Sequence, residues 1–132
     1  MTQGGHCWPI RVYYEDTDLG GIVYYANYLK YIERARSEWL RALGIDQVAL
    51  KGEGFVFVVR RVEADYLSPA HFDDALQVET RLHEATRARV LLDQRVMRGR
   101  EVLFSARVTL VCVGLDLRPA RLPADLRAAL TG

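Results

Sequence analysis

The stretch YYEDTDLGGIVYYANYLKYIERARSEWL, residues 13–40, places an acidic triplet, a glycine pair and a tyrosine cluster directly before a helical pattern. Apolar residues then recur at spacings of three, four and seven, which is the stripe of an amphipathic helix. Gly44 suits the position just past a helix C-terminus. The stretch therefore predicts one long helix over residues 25–43. Its apolar stripe comprises Tyr25, Leu29, Ile32, Trp39, Leu40 and Leu43.

Strand patterns lie on both sides of this helix. One precedes it and four follow it in close succession, with polar turns between them. The helix has one apolar stripe, and the alternating strands form a sheet with an apolar face. Both apolar surfaces are buried when the sheet curls around the helix. The fold class is therefore α+β. The predicted strands cover residues 8–15, 55–67, 76–83, 90–96 and 102–112, and Pro123 is typical of the first position of a short final helix.

Composition limits the classes of function. The 132 residues fit one domain, spanning 1–132, and the net charge of +1 gives no reason to expect nucleic acid or a membrane surface as a partner. Cys7 and Cys112 lack metal-ligand spacing, so neither a metal nor another cofactor is expected. Two isolated cysteines, without a signal peptide or an apolar stretch of about 18 residues, favour a cytoplasmic protein with no membrane insertion.

The outward face of the predicted sheet also carries apolar residues. Leu91, Met97, Val111 and Val113 alternate with the residues that point toward the helix. Because one chain offers nothing else to cover them, we expect a homodimer or a homotetramer.

Two charged residues lie on the helix near its apolar stripe. At about 100° per residue, Arg36 falls near the middle of the stripe and Glu33 at its edge. Because a buried arginine needs a partner, one interpretation is a structural ion pair with Glu33, three residues away. A catalytic role for Glu33 is the other interpretation.

The acidic triplet contains one carboxylate suited to chemistry. Asp18 lies seven residues before Tyr25, with Gly20 and Gly21 between them. The first turn of a helix offers unsatisfied N–H groups and positive potential, which stabilise a developing oxyanion. An Asx-turn followed by a glycine turn, with no chemistry, is the alternative interpretation. The other two carboxylates, Glu15 and Asp16, are weaker candidates, since Glu15 continues the strand pattern.

Three stretches together resemble one protein family. They are RVYYEDTDLGGIVYYANYLKYIERARSEWL (11–40), FVVRRVEADYLSPAHFDD (57–74) and LVCV (110–113). They resemble hotdog-fold acyl-CoA thioesterases of the 4-hydroxybenzoyl-CoA type, most closely the tol-pal system-associated subgroup. The resemblance covers the chain from about Trp8 to Pro123. It implies a hotdog fold, with one long helix wrapped by a curved five-stranded antiparallel sheet.

The resemblance also implies catalytic roles. The second aspartate of the family's D-x-D matches Asp18, which would act on the thioester carbonyl as nucleophile or general base. The helix-start amide that polarises the carbonyl matches the backbone N–H of Tyr25, and Gly21 would let the substrate approach the backbone closely. One departure concerns Tyr25. The tol-pal subgroup usually has histidine there, whereas tyrosine resembles the 4-hydroxybenzoyl-CoA enzyme.

Coenzyme A brings phosphates, which guanidinium groups bind well. Arg87 and Arg89 lie at a turn between two strands, where the resembling enzymes have basic residues near the nucleotide. Arg60 and Arg61 are second choices. Solvated strand ends are the alternative interpretation for all four.

The expected activity is hydrolysis of acyl-CoA to a carboxylic acid and free coenzyme A, with acyl carrier protein as a further possible thioester donor. A non-catalytic module that binds acyl thioesters is the first alternative. An enoyl-thioester hydratase is the second, but those enzymes normally need a catalytic histidine. His6, His71 and His83 show neither triad-like nor metal-like spacing, and His83 alternates with apolar residues so that it points outward.

Overall fold

The computed structural model describes residues 5–132, so the first four residues of the predicted domain lie outside the described part of the chain. A five-stranded antiparallel sheet and one long helix dominate it, which confirms the α+β hotdog prediction. The strands are β1 (His6–Arg11), β2 (Phe55–Tyr66), β3 (Ala75–Ala85), β4 (Arg89–Arg98) and β5 (Glu101–Gly114). The helices are α1 (Asn27–Ala42), α2 (Gln47–Gly52) and α3 (Ala124–Thr131).

The sheet has the strand order β1-β3-β4-β5-β2, so β1 and β2 are its edges. Residues of alternating strand positions form the inner face, as the period of two requires. Val78, Leu92 and Val108 are among those with no exposed surface. Helix α1 packs across β1, β3 and β4. The inner face of the β2 edge is therefore left largely uncovered.

The buried face of α1 differs from the predicted stripe in its first half. The buried residues are Tyr28, Tyr31, Ile32, Ala35, Trp39 and Leu40, whereas Tyr25 and Leu29 are exposed. Tyrosines at several neighbouring positions made two faces equally apolar in the sequence, and packing against β1, β3 and β4 selects one of them. The predicted helix end is confirmed, since Gly44 follows the last turn with φ +82°.

Two local elements differ from the prediction. Helix α2 was not predicted, although Asp46 is a good N-cap: its Oδ1 accepts from the N–H groups of Val48 (2.9 Å) and Ala49 (3.1 Å). Strand β1 ends at Arg11 because the following residues, Tyr14–Asp16, form a 3-10 turn. The prediction that Glu15 continues the strand is therefore wrong.

The outward face of the sheet is not the apolar surface that the sequence predicted. Val111 and Val113 are already buried within the single chain, and Val113 pairs with the segment at Pro119. Ion pairs occupy the middle of this face, among them Arg107–Asp93 (2.8 Å) and Arg95–Glu79 (2.6 Å). The structural reason for expecting an oligomer was therefore wrong at this face. Within residues 5–132, no helix has the length and apolar character needed to cross a membrane.

Candidate active site

The acidic stretch folds into a short closed loop between β1 and α1. The N–H of Asp18 donates to the carbonyl of Ile22 (3.0 Å), and the N–H of Gly21 donates back to the carbonyl of Asp18 (2.9 Å). Gly21 has φ +79°, a left-handed conformation that glycine adopts without strain. A Cβ at Gly21 would meet no atom within 4 Å, so the space above it is open to a ligand. The loop thus projects Asp18 and Gly21 toward solvent.

The carboxylate of Asp18 is exposed and only partly engaged. Its Oδ1 accepts a hydrogen bond from the N–H of Gly20 at 2.9 Å, which is the Asx-turn that one interpretation of the sequence expected. In the described part of the chain, Oδ2 has no hydrogen-bond or ion-pair partner. The turn therefore orients the carboxylate and leaves one oxygen available for chemistry, so the structural and catalytic interpretations are compatible.

Asp16 has a structural role that sequence reasoning missed. Its Oδ2 accepts from the N–H of Tyr13 (2.8 Å) and from the hydroxyl of Tyr31 (2.9 Å). Its carbonyl accepts from the Asn27 side chain and from the N–H of Tyr24, both at 2.9 Å. Burial, together with the hydrogen bond to Asp16, raises the pKa of Tyr31 well above its ordinary value. Asp16 therefore fastens the acidic loop to the first turns of α1.

The backbone at Tyr25 offers an unused donor at the start of α1. The N–H of Tyr24 donates to Asp16, and the N–H of Asn27 donates to the carbonyl of Tyr24. No hydrogen bond from the N–H of Tyr25 is found among residues 5–132. The carbonyl of Tyr25 accepts from the hydroxyl of Tyr66 at 3.0 Å, which fixes this peptide against β2. A free donor on a fixed backbone is suited to stabilising an oxyanion.

Aromatic packing holds the helix start in place. The ring of Phe104 stacks on Tyr28 at a centroid distance of 5.0 Å and meets Tyr66 edge-on at 4.9 Å. Tyr66 in turn contacts the ring of Tyr25 at 6.1 Å. Because Phe104 has no exposed surface, the site is supported directly by the sheet core.

Tyr24 lies against Tyr25 just before α1, with their ring centroids 4.9 Å apart. The neighbouring Tyr25 side chain raises the pKa of Tyr24 above its ordinary value, and the charge of Asp18 adds a smaller contribution in the same direction. Thr17 pairs with Val23 across the loop, and the N–H of Asp18 donates to the carbonyl of Ile22, so Asp18 lies beside the residues that lead directly into the tyrosine pair. The loop and the helix start form one candidate site.

The two arginines predicted to bind phosphate lie elsewhere. Strand β3 begins opposite Arg11, beside the acidic loop, and runs its full length before the turn that carries Arg87 and Arg89. An extended strand of this length spans on the order of 30 Å. A single chain therefore does not bring Arg87 or Arg89 to Asp18. The second choices, Arg60 and Arg61, lie at the bulge of edge strand β2.

The predicted ion pair within α1 is replaced by a different contact. Arg36 is half-buried and donates to Oε1 of Gln94 at 3.2 Å, while Glu33 is exposed. The Gln94 amide donates to the carbonyl of Ile32 and to the hydroxyl of Thr80, both at 2.9 Å. Burial lowers the pKa of Arg36 and the charge of Glu33 opposes that shift. The sequence contained a signal for this contact, because Gln94 is a polar residue on the inward face of β4 and a buried polar side chain needs a hydrogen-bond partner.

Two of the three histidines lie close to an aspartate. His71 Nδ1 lies 3.9 Å from Asp74, and His83 Nδ1 lies 3.7 Å from Asp93 on the outward face, as the alternation of β3 predicted. Across residues 5–132, no histidine side chain contacts Asp18. The site therefore lacks the histidine that a hydratase normally needs.

A model of the thioesterase-like superfamily matches residues 12–130. The chain belongs to the thioesterase-like superfamily. It is 44% identical over 131 residues to the acyl-CoA thioesterase YbgC of Haemophilus influenzae, covering 98% of this chain and 96% of that protein. It is 42% identical over 123 residues to the acyl-CoA thioester hydrolase YbgC of Escherichia coli, covering 92% of each.

Solved structures agree with this family. The structure of a probable thioesterase from Bartonella henselae has a TM-score of 0.86 and 37% identity, covering 90% of this thioesterase and 99% of that chain. A 1,4-dihydroxy-2-naphthoyl-CoA thioesterase from Synechocystis has a TM-score of 0.88 and 25% identity, covering 96% of each chain. The resemblance stated from the sequence, and the prediction that the chain is a thioester hydrolase, are confirmed.

Proposed function

We propose that this thioesterase hydrolyses acyl-CoA to a carboxylic acid and free coenzyme A, using Asp18 and the backbone N–H of Tyr25. One observation carries the proposal: an exposed carboxylate with a free oxygen lies on a glycine turn beside a helix start whose Tyr25 N–H has no partner among residues 5–132. Gly21 is proposed to lie against the substrate, since its surroundings are open. The names of the YbgC relatives support the substrate class.

The chemistry follows from these two groups. The N–H of Tyr25 and the positive end of α1 stabilise the oxyanion that forms when the thioester carbonyl is attacked. As a nucleophile, Asp18 would add to that carbon and expel the thiolate, and water would then cleave the resulting anhydride. As a general base, Asp18 would take a proton from the attacking water. Both routes need an ionised, accessible carboxylate at this position.

Release of the thiol tests the activity directly. A disulfide reagent that reports free thiol should register coenzyme A release from acyl-CoA substrates, and the same assay applies to acyl carrier protein as the thioester donor. Binding of acyl-CoA without release of thiol would contradict the proposed hydrolysis and favour the alternative, a non-catalytic module that binds acyl thioesters.

We also propose that two copies of the chain pair through β2. This strand is an edge of the sheet, 12 residues long, and most of its residues are exposed. A long free edge presents unpaired N–H and C=O groups that pair readily with another strand. Tyr24, Tyr25 and Tyr66 are exposed beside it, so a second copy would also enclose the candidate site. A homotetramer would need a further contact between two such dimers.

We expect light scattering at micromolar concentration to give at least the mass of a dimer. The amide protons on the free side of β2 should exchange slowly at that concentration and faster on dilution, because pairing alone protects them. β1, the other edge, serves as the internal comparison and should not depend on concentration. A monomeric mass at micromolar concentration would contradict the proposal.

Arg87 and Arg89 are too distant from Asp18 of their own chain to contact the same coenzyme A. They are therefore proposed to bind the nucleotide phosphates of a coenzyme A whose thioester lies in the site of another copy. Replacing both with alanine should raise KM for acyl-CoA severalfold, because charge-assisted contacts to phosphate are lost. A short pantetheine thioester, which lacks these phosphates, should be unaffected. The Arg100→Ala variant, at the opposite end of β4, is the control. Equal effects on both substrates would remove Arg87 and Arg89 from the binding site.

The compartment proposed for this thioesterase is the cytoplasm. Cys7 and Cys112 are both free thiols, and Cys112 is buried. Reduced cysteines are typical of that compartment.

A further inference from the structure

Partly exposed apolar side chains on β2 and at the start of α1 line a surface that leads away from the candidate site. Its β2 wall consists of Val59, Val62 and Tyr66, which are 49%, 39% and 48% exposed. Leu29 of α1 and Tyr25, which precedes the helix, form the opposite wall, with 42% and 61% exposed. We call this surface the α1–β2 groove. It begins at the peptide of Tyr25, so a thioester held there would have its acyl group at the mouth of the groove.

A β-bulge keeps the β2 wall continuous. Val59 lies opposite Leu110 and Val62 opposite Val108, with an irregularity in register between Val59 and Arg61. Val62 therefore lies on the same inner face as Val59 although only two residues separate them, whereas an unbroken strand would place Val62 on the opposite face. The bulge accordingly extends the apolar wall along the direction of α1.

Arg36 stands at the far end of the groove. A cavity of about 130 Å³ lies there, and Arg36, Glu33 and Val59 contribute to its lining. The guanidinium has a single hydrogen bond among residues 5–132, to Gln94, and no carboxylate lies within ion-pair distance of it. Because guanidinium carries five N–H donors, most of them depend on water in this cavity. Gln94 is fully buried and bound to Thr80, so Arg36 is held in place.

The length of the groove suits a linear acyl chain. Arg36 follows Asn27, the first residue of α1, by nine residues, which corresponds to about 14 Å along the helix axis. A single aromatic ring attached at the Tyr25 peptide would end well short of Arg36. An extended alkyl chain of sufficient length would reach the guanidinium.

We propose that Arg36 sets the upper length of the linear acyl chain that the α1–β2 groove accepts. A chain that ends before Arg36 buries its methylenes against Leu29 and Val62 and leaves the guanidinium hydrated. A longer chain removes water from unpaired donors and offers no acceptor in return, which is unfavourable for a charged group. This inference rests on the proposed function, since it requires the thioester at Tyr25.

The test compares kcat/KM across straight-chain acyl-CoA substrates of increasing length. Arg36→Met removes the charge and keeps an unbranched side chain. We expect kcat/KM for the longest chains to rise about tenfold relative to short chains, a typical effect of one methylene in an apolar pocket. Arg34→Met makes the same change at an exposed position of α1 and should keep the wild-type profile. Identical profiles for wild type and a folded Arg36→Met protein would overturn the inference.

A second variant keeps Arg36 and its contact with Gln94. Val62→Trp fills the groove between Tyr66 and Val59, so it should shift the preferred chain to shorter lengths while the shortest substrates are still hydrolysed. An unchanged profile in this variant would show that the acyl chain does not follow the groove. Absence of thiol release from every substrate by the wild-type protein would instead refute the proposed function, so the two failures are distinguishable.

Discussion

Asp18→Asn is expected to lower kcat by roughly two to four orders of magnitude while changing KM only modestly. Asparagine keeps the size of the side chain, and its carbonyl oxygen can still accept from the N–H of Gly20, so the loop should remain folded. The amide can neither attack the thioester carbonyl nor accept a proton from water. The variant therefore removes an interaction that acts mainly in the transition state. Steady-state kinetics with acyl-CoA measures it.

Glu15→Gln is the matched control for this experiment. Glu15 is exposed in the same loop, whereas Asp16 binds Tyr13, Tyr31 and Asn27 and would disturb the loop if changed. The control should keep kcat close to the wild-type value. If a folded Asp18→Asn protein kept more than a tenth of wild-type turnover, the mechanism would be wrong. A comparable loss in Glu15→Gln would point to the charge of the loop as a whole.

Phe104→Ala is expected to lower the free energy of unfolding by about 3–5 kcal/mol, the usual cost of deleting a large buried aromatic ring. Phe104 has no exposed surface, stacks on Tyr28 and meets Tyr66 edge-on. Its loss leaves a cavity beneath the start of α1. Because this packing also holds the peptide of Tyr25 through Tyr66, kcat should fall as well. Urea denaturation at a fixed protein concentration measures the change in stability.

Phe72→Ala provides the comparison for Phe104. Phe72 is 56% exposed and meets Tyr14 edge-on, so its replacement should change stability far less. Similar losses in the two variants would mean that the aromatic cluster under the helix start is not the packing centre described above.

Residue patterns predicted the elements with strong periodicity and failed where several residues compete for one surface. Strand β5 and the end of α1 at Gly44 were predicted because alternation and a helix-ending glycine are local signals. The prediction of the buried face of α1 was wrong in its first half, because Tyr25 and Tyr28 are the same residue type and the sequence does not distinguish them. One interpretation of the sequence paired Arg36 with Glu33 within the helix, but Gln94 is its hydrogen-bond partner. That contact comes from β4, which is 58 residues away in sequence.

The candidate site was predicted only in part. Asp18 and the helix start at Tyr25 are close in sequence, so a glycine turn between them brings them into one region. Arg87 and Arg89 were grouped with them through resemblance to a family. The length of β3 separates them from Asp18 within one chain.

The sequence by itself determined the order of the five strands and the long helix, the acidic turn before that helix and membership of the thioesterase-like superfamily, because these depend on local periodicity and motif. Only the tertiary structure decided which carboxylate is free. The sequence favoured Asp18 through its position before the helix start, but the contacts that distinguish the two aspartates are tertiary. The hydroxyl of Tyr31 donates to Asp16, whereas Oδ2 of Asp18 has no partner in the described part of the chain. The tertiary structure also decided that α1 lies over β1, β3 and β4 and leaves the groove beside β2. The face that a helix buries depends on long-range packing.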